Sequence, residues 1–148
     1  MVFDLASRKT IFRFNADQIS CLAISQDGRL LAAGTSFNLI HLWDVNSGQQ
    51  LGILRGHVSG LADLSFSPDG KTLASCGDNR LKLWNIETVQ EILTLARFSS
   101  QGLVTMFSSD GSALATSQVD GHGQLWRAPS FEEIAATEAK EKAEGRHP

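Results

Sequence analysis

Tryptophan recurs along the chain at a nearly constant interval. Trp43, Trp84 and Trp126 stand 41 and 42 residues apart in a chain of 148, and each ends an extended apolar stretch. A turn of the form Ser-X-Asp-Gly precedes each tryptophan at a similar interval. Self-similarity at a fixed period of roughly 20–50 residues indicates a repeat architecture, in which each unit buries its apolar face against the next. The chain is therefore predicted to be an array of similar units.

Each unit is predicted to be a set of four β-strands. In the middle unit, Ala62, Leu64 and Phe66 alternate with polar residues, and this period of two places them on one face of a strand. Pro68 presets φ for a turn and Gly70 can adopt a positive φ, so the chain is expected to reverse there. The four strands of this unit are predicted in the segments LADLSFS, TLASC, LKLWN and EILTLA.

A unit of about 40–45 residues with four strands and a terminal tryptophan resembles a blade of the WD-repeat β-propeller family. The resemblance covers about residues 2–128 and looks most like the C-terminal blades of a bacterial WD-repeat protein. It implies an all-β fold of about three four-stranded antiparallel β-propeller blades, which is a partial propeller, with a short C-terminal helix. The expected divisions are the end of a preceding blade (1–15), a blade (16–56), a second blade (57–98), an incomplete blade (99–128) and a helical, charged tail (129–148).

The two ends of the chain differ in what they supply. The N-terminus offers the end of a third strand (VFDL) and a fourth strand (TIFRF), whereas no fourth strand is recognisable after the last tryptophan. Beyond it, Ser130 and Glu133 form a capping-box pattern that predicts the helix. In this family, a strand from one terminus closes the blade built by the other terminus. We therefore predict either a strand-exchanged homodimer, in which TIFRF completes the last unit of a second copy, or additional blades from an upstream segment.

The resemblance also implies a structural hydrogen-bond chain of His, Ser or Thr, Asp and Trp within a blade. The middle unit carries all four, as His57, Ser75, Asp78 and Trp84. The first three are also the residue types of a catalytic triad. However, the repeat accounts for all three positions and for the tryptophan, and no nucleophile elbow or oxyanion hole is visible. A structural role is therefore predicted, with no catalytic residue.

The outer units carry less of this hydrogen-bond chain. In the last unit, Ser117 and Asp120 are assigned to it, but Ser99 stands near the histidine position. In the first unit, Gly34 and Phe37 stand where the serine and the aspartate would be. The middle unit is therefore expected to be the best-ordered blade.

The resemblance implies a non-catalytic scaffold for protein–protein interaction, because a propeller gathers loops from successive blades on one rim. One alternative is a sensor or targeting domain of a larger bacterial signalling protein such as a kinase. Another, of a different class, is a propeller enzyme or small-ligand binder, but the matched positions of the first strands carry no acid or base. The usual contact surface of the family corresponds here to loops that contain Phe37, Asn79, Arg80, Arg97, Phe98 and His122.

Charge and cysteine content narrow the class of partner and the compartment. The net charge is −3 and no run of Lys or Arg is present, which argues against nucleic acid and anionic membranes as partners. No apolar segment is long enough to span a bilayer. Cys21 and Cys76 stand far apart and without metal-ligand spacing. We therefore predict reduced thiols, a cytoplasmic location, and no metal or cofactor.

Overall fold

The computed structural model describes residues 2–4 and 8–127, and every regular element in these residues is a β-strand. The predicted all-β class is confirmed for this part of the chain, which contains no helix that could cross a membrane. The predicted C-terminal helix lies outside the described residues. The strands are β1 (Val2–Asp4), β2 (Lys9–Phe12), β3 (Ile19–Ile24), β4 (Leu30–Thr35), β5 (Leu39–Asp44), β6 (Gln50–Arg55), β7 (Leu61–Phe66), β8 (Thr72–Gly77), β9 (Arg80–Asn85), β10 (Gln90–Arg97), β11 (Gly102–Phe107), β12 (Ala113–Gln118) and β13 (Gly123–Arg127).

The strands form four antiparallel sheets, each a meander in chain order. Strands β3 to β6 form a four-stranded blade, and strands β7 to β10 form the next; we call them blade one and blade two. Strands β11 to β13 form a three-stranded blade three, and β1 and β2 pair with each other ahead of blade one. The four predicted strands of the middle unit coincide with those of blade two.

The Ser-X-Asp-Gly turns are closed by the same contacts in every blade. In blade two, Ser67 Oγ donates to Asp69 Oδ1 over 2.7 Å, and Asp69 Oδ1 also accepts the Lys71 N–H over 3.0 Å. Gly70 adopts a φ of +70°, where a side chain with a Cβ is disfavoured. The equivalent contacts recur in blades one and three. These turns lie at one end of the strands, which we call the turn rim.

Neighbouring blades stack through apolar faces. The cluster between blades one and two includes Ile40, Leu42 and Trp84, all buried. The cluster between blades two and three includes Leu81 and Leu114. Burial of an aliphatic side chain of this size stabilises a fold by about 1.5–3 kcal/mol. Packing between blades therefore contributes several kcal/mol to the stability of the array.

The two cysteines are free thiols, as predicted, and lie in this interblade packing. Cys21 packs against the cluster between blades one and two, and Cys76 belongs to the cluster between blades two and three. Burial raises the pKa of Cys76 to about 11, with a further contribution from nearby aspartates. The thiol is therefore protonated and unreactive at neutral pH.

The N-terminal strand pair takes the place of the outer strands of a preceding blade. Val2 and Phe12 pack against the cluster around Trp43 of blade one. Val2 also pairs with Phe12 across the two strands, as Leu83 pairs with Leu93 in blade two. Strands β1 and β2 therefore occupy the positions of a third and a fourth strand.

The two ends of the stack hold apolar side chains in solvent. On β3, Leu22 and Ile24 alternate with residues that pack towards blade two, so they face the opposite side and are exposed. On the far side of blade three, Val104, Met106 and Leu125 are exposed in the same way. These two open faces lie where a further blade would stack on each end of the array.

Candidate interaction surface

Four side chains of blade two form one continuous hydrogen-bond chain. Trp84 Nε1–H donates to Ser75 Oγ over 2.7 Å, and that oxygen lies 2.6 Å from His57 Nε2. His57 Nδ1 contacts Asp78 Oδ1 on its other side. All four side chains are buried. The structure thus brings together the four residues that the resemblance assigned to this chain.

The direction of the hydrogen bonds follows from the chemistry of the two ends. An indole N–H only donates and a carboxylate only accepts. Ser75 therefore accepts from Trp84 and donates to His57 Nε2, and the Nδ1–H of a neutral imidazole donates to Asp78. Burial lowers the pKa of His57 below its usual value of 6.5, although Asp78 opposes this effect. The ring is therefore neutral at pH 7, and each group in the chain is satisfied.

This arrangement suits a structural element better than a catalytic one. The Ser75 residue is 0% exposed, and its hydroxyl is committed both as an acceptor and as a donor. A nucleophile must reach its substrate and be free of a competing donor. Ser75 meets neither condition.

A tight turn places Asp78 beneath the loop that carries His57. Asp78 and Asn79 join β8 to β9, and both have positive φ, at 43° and 57°. Asp and Asn tolerate this conformation, and two such residues form the type I′ turn that suits a two-residue hairpin. The carboxylate of Asp78 also accepts the Val58 N–H over 3.2 Å and lies 3.4 Å from an Arg80 nitrogen. Asp78 therefore fastens two neighbouring loops together.

In blade three, the structural equivalent of Ser75 is Thr116 rather than the predicted Ser117. In blade three, Trp126 pairs with Leu114, and Thr116 lies two residues after Leu114. In blade two, Trp84 pairs with Leu73, and Ser75 lies two residues after Leu73. The prediction applied the spacing of blade two, but the turn between the second and third strands is longer in blade three. Thr116 Oγ1 is buried without a hydrogen-bond partner.

In blade one, the same pairing places Ala33, not Gly34, at the position of Ser75. A Cβ at Gly34 would lie 2.5 Å from Cys21 Sγ and 3.1 Å from Leu61 Cδ1. This glycine is therefore required by close packing between blades one and two. Neither residue offers a hydroxyl, so blade one lacks the serine link, as predicted.

The loops at the other end of the strands gather the predicted partner residues on one surface. We call this surface the loop rim. Phe37 is 57% exposed and Val58 is 68% exposed, although both are apolar. Asn79 and Arg97 are exposed as well, while Arg80 is partly covered. The loop rim consists of residues 13–18, 36–38, 55–60, 78–80, 97–101 and 118–122.

Two predicted partner residues have local roles. Phe98 is only 8% exposed, and its ring packs against Trp126 at a centroid distance of 6.5 Å. It is therefore a core residue, and we exclude it from the partner surface. His122 is exposed, and its Nδ1 lies 3.0 Å from Asp120 Oδ1. Asp120 thus stabilises the turn between β12 and β13, since its carboxylate also accepts the His122 N–H.

Blade two holds a buried lysine that was not predicted from the sequence. Lys82 is 4% exposed, and its Nζ lies 2.7 Å from Glu91 Oε1 and 2.9 Å from Thr94 Oγ1. The ammonium also lies 5.9 Å from the ring centroid of Trp84, within range of a cation–π interaction. The available signal was a lysine inside an apolar strand, followed by Glu-X-X-Thr on the next strand.

Two polar links between blades were likewise not predicted from the sequence. Asp63 accepts the Thr105 N–H over 2.8 Å, and Ser65 accepts the Phe107 N–H over 3.2 Å. The motif Asp-X-Ser on the first strand of blade two was the signal. The acid on this inner strand therefore joins two blades.

Comparison with known families identifies the repeat. The family model described as "WD domain, G-beta repeat" matches residues 7–44 and 48–85, which together make up half of the chain. The first match runs from β2 to β5 and the second from β6 to β9. Each match thus joins the fourth strand of one blade to the first three strands of the next, so the sequence repeat is offset by one strand from the blade.

Curated relatives include much longer proteins of eukaryotes. The "Periodic tryptophan protein 2 homolog" of Dictyostelium discoideum is 34% identical over 144 residues, which is 93% of this chain and 16% of that protein. The homolog of Neurospora crassa is 31% identical over 129 residues, or 85% of this chain and 14% of that protein. The chain thus spans less than a fifth of these relatives. They do not support the predicted likeness to a bacterial protein or to a bacterial kinase.

Among solved structures, the one titled "Structure of U3-55K" matches with a TM-score of 0.72. The match covers 78% of this chain and 38% of that one, at 23% sequence identity. This likeness shows the fold.

Proposed function

The chain belongs to the WD40 repeat family, and from this we propose that it is a non-catalytic scaffold for protein–protein interaction. The carrying observation is the contrast between the loop rim and the layer beneath it. The rim exposes the apolar side chains of Phe37 and Val58, whereas the polar chain from His57 to Trp84 is buried and saturated. An exposed apolar surface of this kind suits binding to another protein, and the buried hydrogen-bond chain holds the loops of this surface in place.

The enzyme alternative receives no support from the inner strands. Asp63 is the acid of the first strand of blade two, and its carboxylate already accepts a backbone N–H of blade three. His57 and Ser75 are closed to solvent. A reaction would need groups that converge on an open site. The proposed location is the cytoplasm, which the two free thiols favour.

Site-specific photo-crosslinking tests the scaffold proposal. A photoreactive residue is placed at Phe37 or at Val58 on the loop rim, and at Lys71 on the turn rim as the matched exposed control. We expect adducts with other proteins from the two loop-rim positions in cells, and few from Lys71. Equal labelling from both rims would contradict the proposal. Substrate turnover that His57→Gln abolishes without unfolding the protein would do so as well.

A further inference from the structure

Three arginines occupy the same position in successive repeats. Arg13, Arg55 and Arg97 are spaced by 42 residues, and each stands at or just beyond the end of a fourth strand. The fourth strands end at the loop rim, so all three lie on that surface, and all three are exposed. In the described part of the chain, none of them forms a salt bridge. The rim therefore carries a row of unpaired positive charges.

The acidic residues of the same rim neutralise this row only in part. Asp78 is held by His57 and Arg80, and Asp120 is held by His122. Asp17 remains as an exposed acid on this rim. The chain as a whole has a net charge of −3, so the local excess of arginine runs against its overall charge.

A groove lies next to two of these arginines. It has a volume of about 210 Å³, and its lining includes Phe37, Leu39, His41 and Asp17. Leu39 is paired with Arg55 across β5 and β6. On the side of blade one, the groove thus presents the apolar side chains of Phe37 and Leu39 beside Thr35 and His41, and Arg55 borders it there.

The second arginine, Arg13, is close in sequence to the opposite wall of the groove. That wall begins at Asn15, two residues after Arg13. His41 contributes no charge between the two arginines at neutral pH, because burial, and after it the charge of Arg55, lowers its pKa, although Asp17 opposes this. The groove therefore combines the apolar side chains of Phe37 and Leu39 with two nearby arginines, Arg55 and Arg13, and Asp17 is the acid in its lining.

We infer that this part of the loop rim binds an acidic peptide segment of a partner protein, with an apolar side chain seated against Phe37 and carboxylates directed to Arg13 and Arg55. The inference rests on the proposed scaffold function and specifies the chemistry of the partner. Arginine pairs well with carboxylates and is enriched at interface hot spots. A peptide fits better than a nucleic acid, because single-stranded bases need several stacking platforms. Of the two ring side chains in the groove lining, Phe37 is exposed, but His41 is already stacked on Trp43 at a centroid distance of 5.5 Å.

Peptide display on the purified chain tests this inference. A random peptide library is selected on the wild type, on Arg55→Glu and on the matched control Arg29→Glu, whose arginine is exposed on the turn rim. The wild type and the control are expected to enrich peptides in which Asp or Glu flanks Leu, Ile or Phe. The enriched peptide, labelled with a fluorophore, should bind Arg13→Glu, Arg55→Glu and Phe37→Ser at least about fivefold more weakly than the control. Added salt should weaken binding to the wild type.

The outcomes separate this inference from the scaffold proposal. Enriched peptides that are neutral or basic, or an equal loss of affinity in Arg29→Glu, would overturn the acidic partner while the scaffold stands. A labelled single-stranded RNA that binds more tightly than the peptide, with the same dependence on Arg55, would overturn the inference in favour of nucleic acid. If no peptide is enriched and photo-crosslinking gives no loop-rim adducts, both proposals fail.

Discussion

Asp78 is the residue on which the hydrogen-bond chain of blade two depends most. Its carboxylate accepts from both His57 and the Val58 backbone, and its side chain is 2% exposed. We expect Asp78→Ala to lower the free energy of unfolding by about 2–3 kcal/mol, because the buried donor of His57 loses its acceptor and the Val58 N–H loses a hydrogen bond. Asp120→Ala is the matched control and should cost less than about 0.5 kcal/mol, since this acid is exposed. Urea midpoints of the two variants provide the measurement, and equal losses would contradict the assigned role.

The neutral state of His57 makes stability depend on pH. The pKa of His57 is lowered in the folded protein, so the unfolded chain binds a proton more readily below its own pKa of about 6.5. The stability that the neutral ring provides is therefore complete above about pH 6.5 and is lost as the pH falls from there towards the folded pKa. As the pH is lowered below about 6.5, the urea midpoint should fall more steeply in the wild type than in His57→Gln. Parallel curves would show that another group is responsible.

Single residues were predictable where the repeat fixed their spacing, and not elsewhere. Trp84 follows the period of the array, and the resemblance to the WD-repeat family located His57, Ser75 and Asp78 in the same unit. The equivalent residue in blade three was misplaced by one, because turn length sets the register and the sequence does not reveal it. The Lys82 ion pair depends on which residues face each other across two bulged strands, which no local pattern specifies.

Among the elements, the turn between β8 and β9 shows how backbone conformation positions the site. Asn79 has a φ of 57° and an exposed side chain, so its effect on stability comes from the backbone. We expect Asn79→Ala to lower the free energy of unfolding by about 1 kcal/mol, and Asn79→Gly to leave it within about 0.5 kcal/mol of the wild type. Thermal or urea unfolding measures both. A larger loss for glycine than for alanine would mean that the side chain, not the backbone, matters here.

Strand positions were predictable because a turn signal recurs in every repeat. A Ser-X-Asp-Gly turn follows each first strand, and in the middle unit the first strand also alternates apolar and polar residues. The burial of Phe98 was not predictable in the same way. It lies between two strands in a segment that reads as a loop, and it becomes a core residue because blade three stacks on blade two and brings Trp126 to its ring.

At the scale of the whole molecule, the offset between repeat and blade explains the open ends. Each sequence repeat supplies the last strand of one blade and the first three strands of the next. An array of such repeats therefore begins with an unaccompanied outer strand and ends with a three-stranded blade. Here these are β2, with its short partner β1, and blade three. The two ends are complementary, since each lacks the strands that the other has.

This complementarity predicts how two copies of the chain would associate. Val2 pairs with Phe12 within one chain. Leu125 of blade three is equivalent to Val2. Leu125 directly precedes Trp126, and Val2 directly precedes Phe3, which stands at the tryptophan position. In a dimer, β13 of each copy would replace β1 of the other and pair with its β2. Each three-stranded blade would then gain a fourth strand. The two copies would close a ring of six blades, within the range of about four to eight that propellers adopt.

Leu125→Glu tests this association without disturbing the isolated fold. Leu125 is 63% exposed in the single chain, so the substitution should leave the folded monomer intact, but it would place a charge beside Phe12 of the second copy. Light scattering after size exclusion of the purified 148-residue chain should show a dimer for the wild type and a monomer for Leu125→Glu. Leu51→Glu is the control, since Leu51 is also exposed but lies on the outer strand of blade one, away from the open faces, and it should remain dimeric. A wild type that stays a well-folded monomer at high concentration would contradict the exchange. It would mean that the open faces are stable in water, despite the apolar side chains of Leu22, Ile24 and Met106.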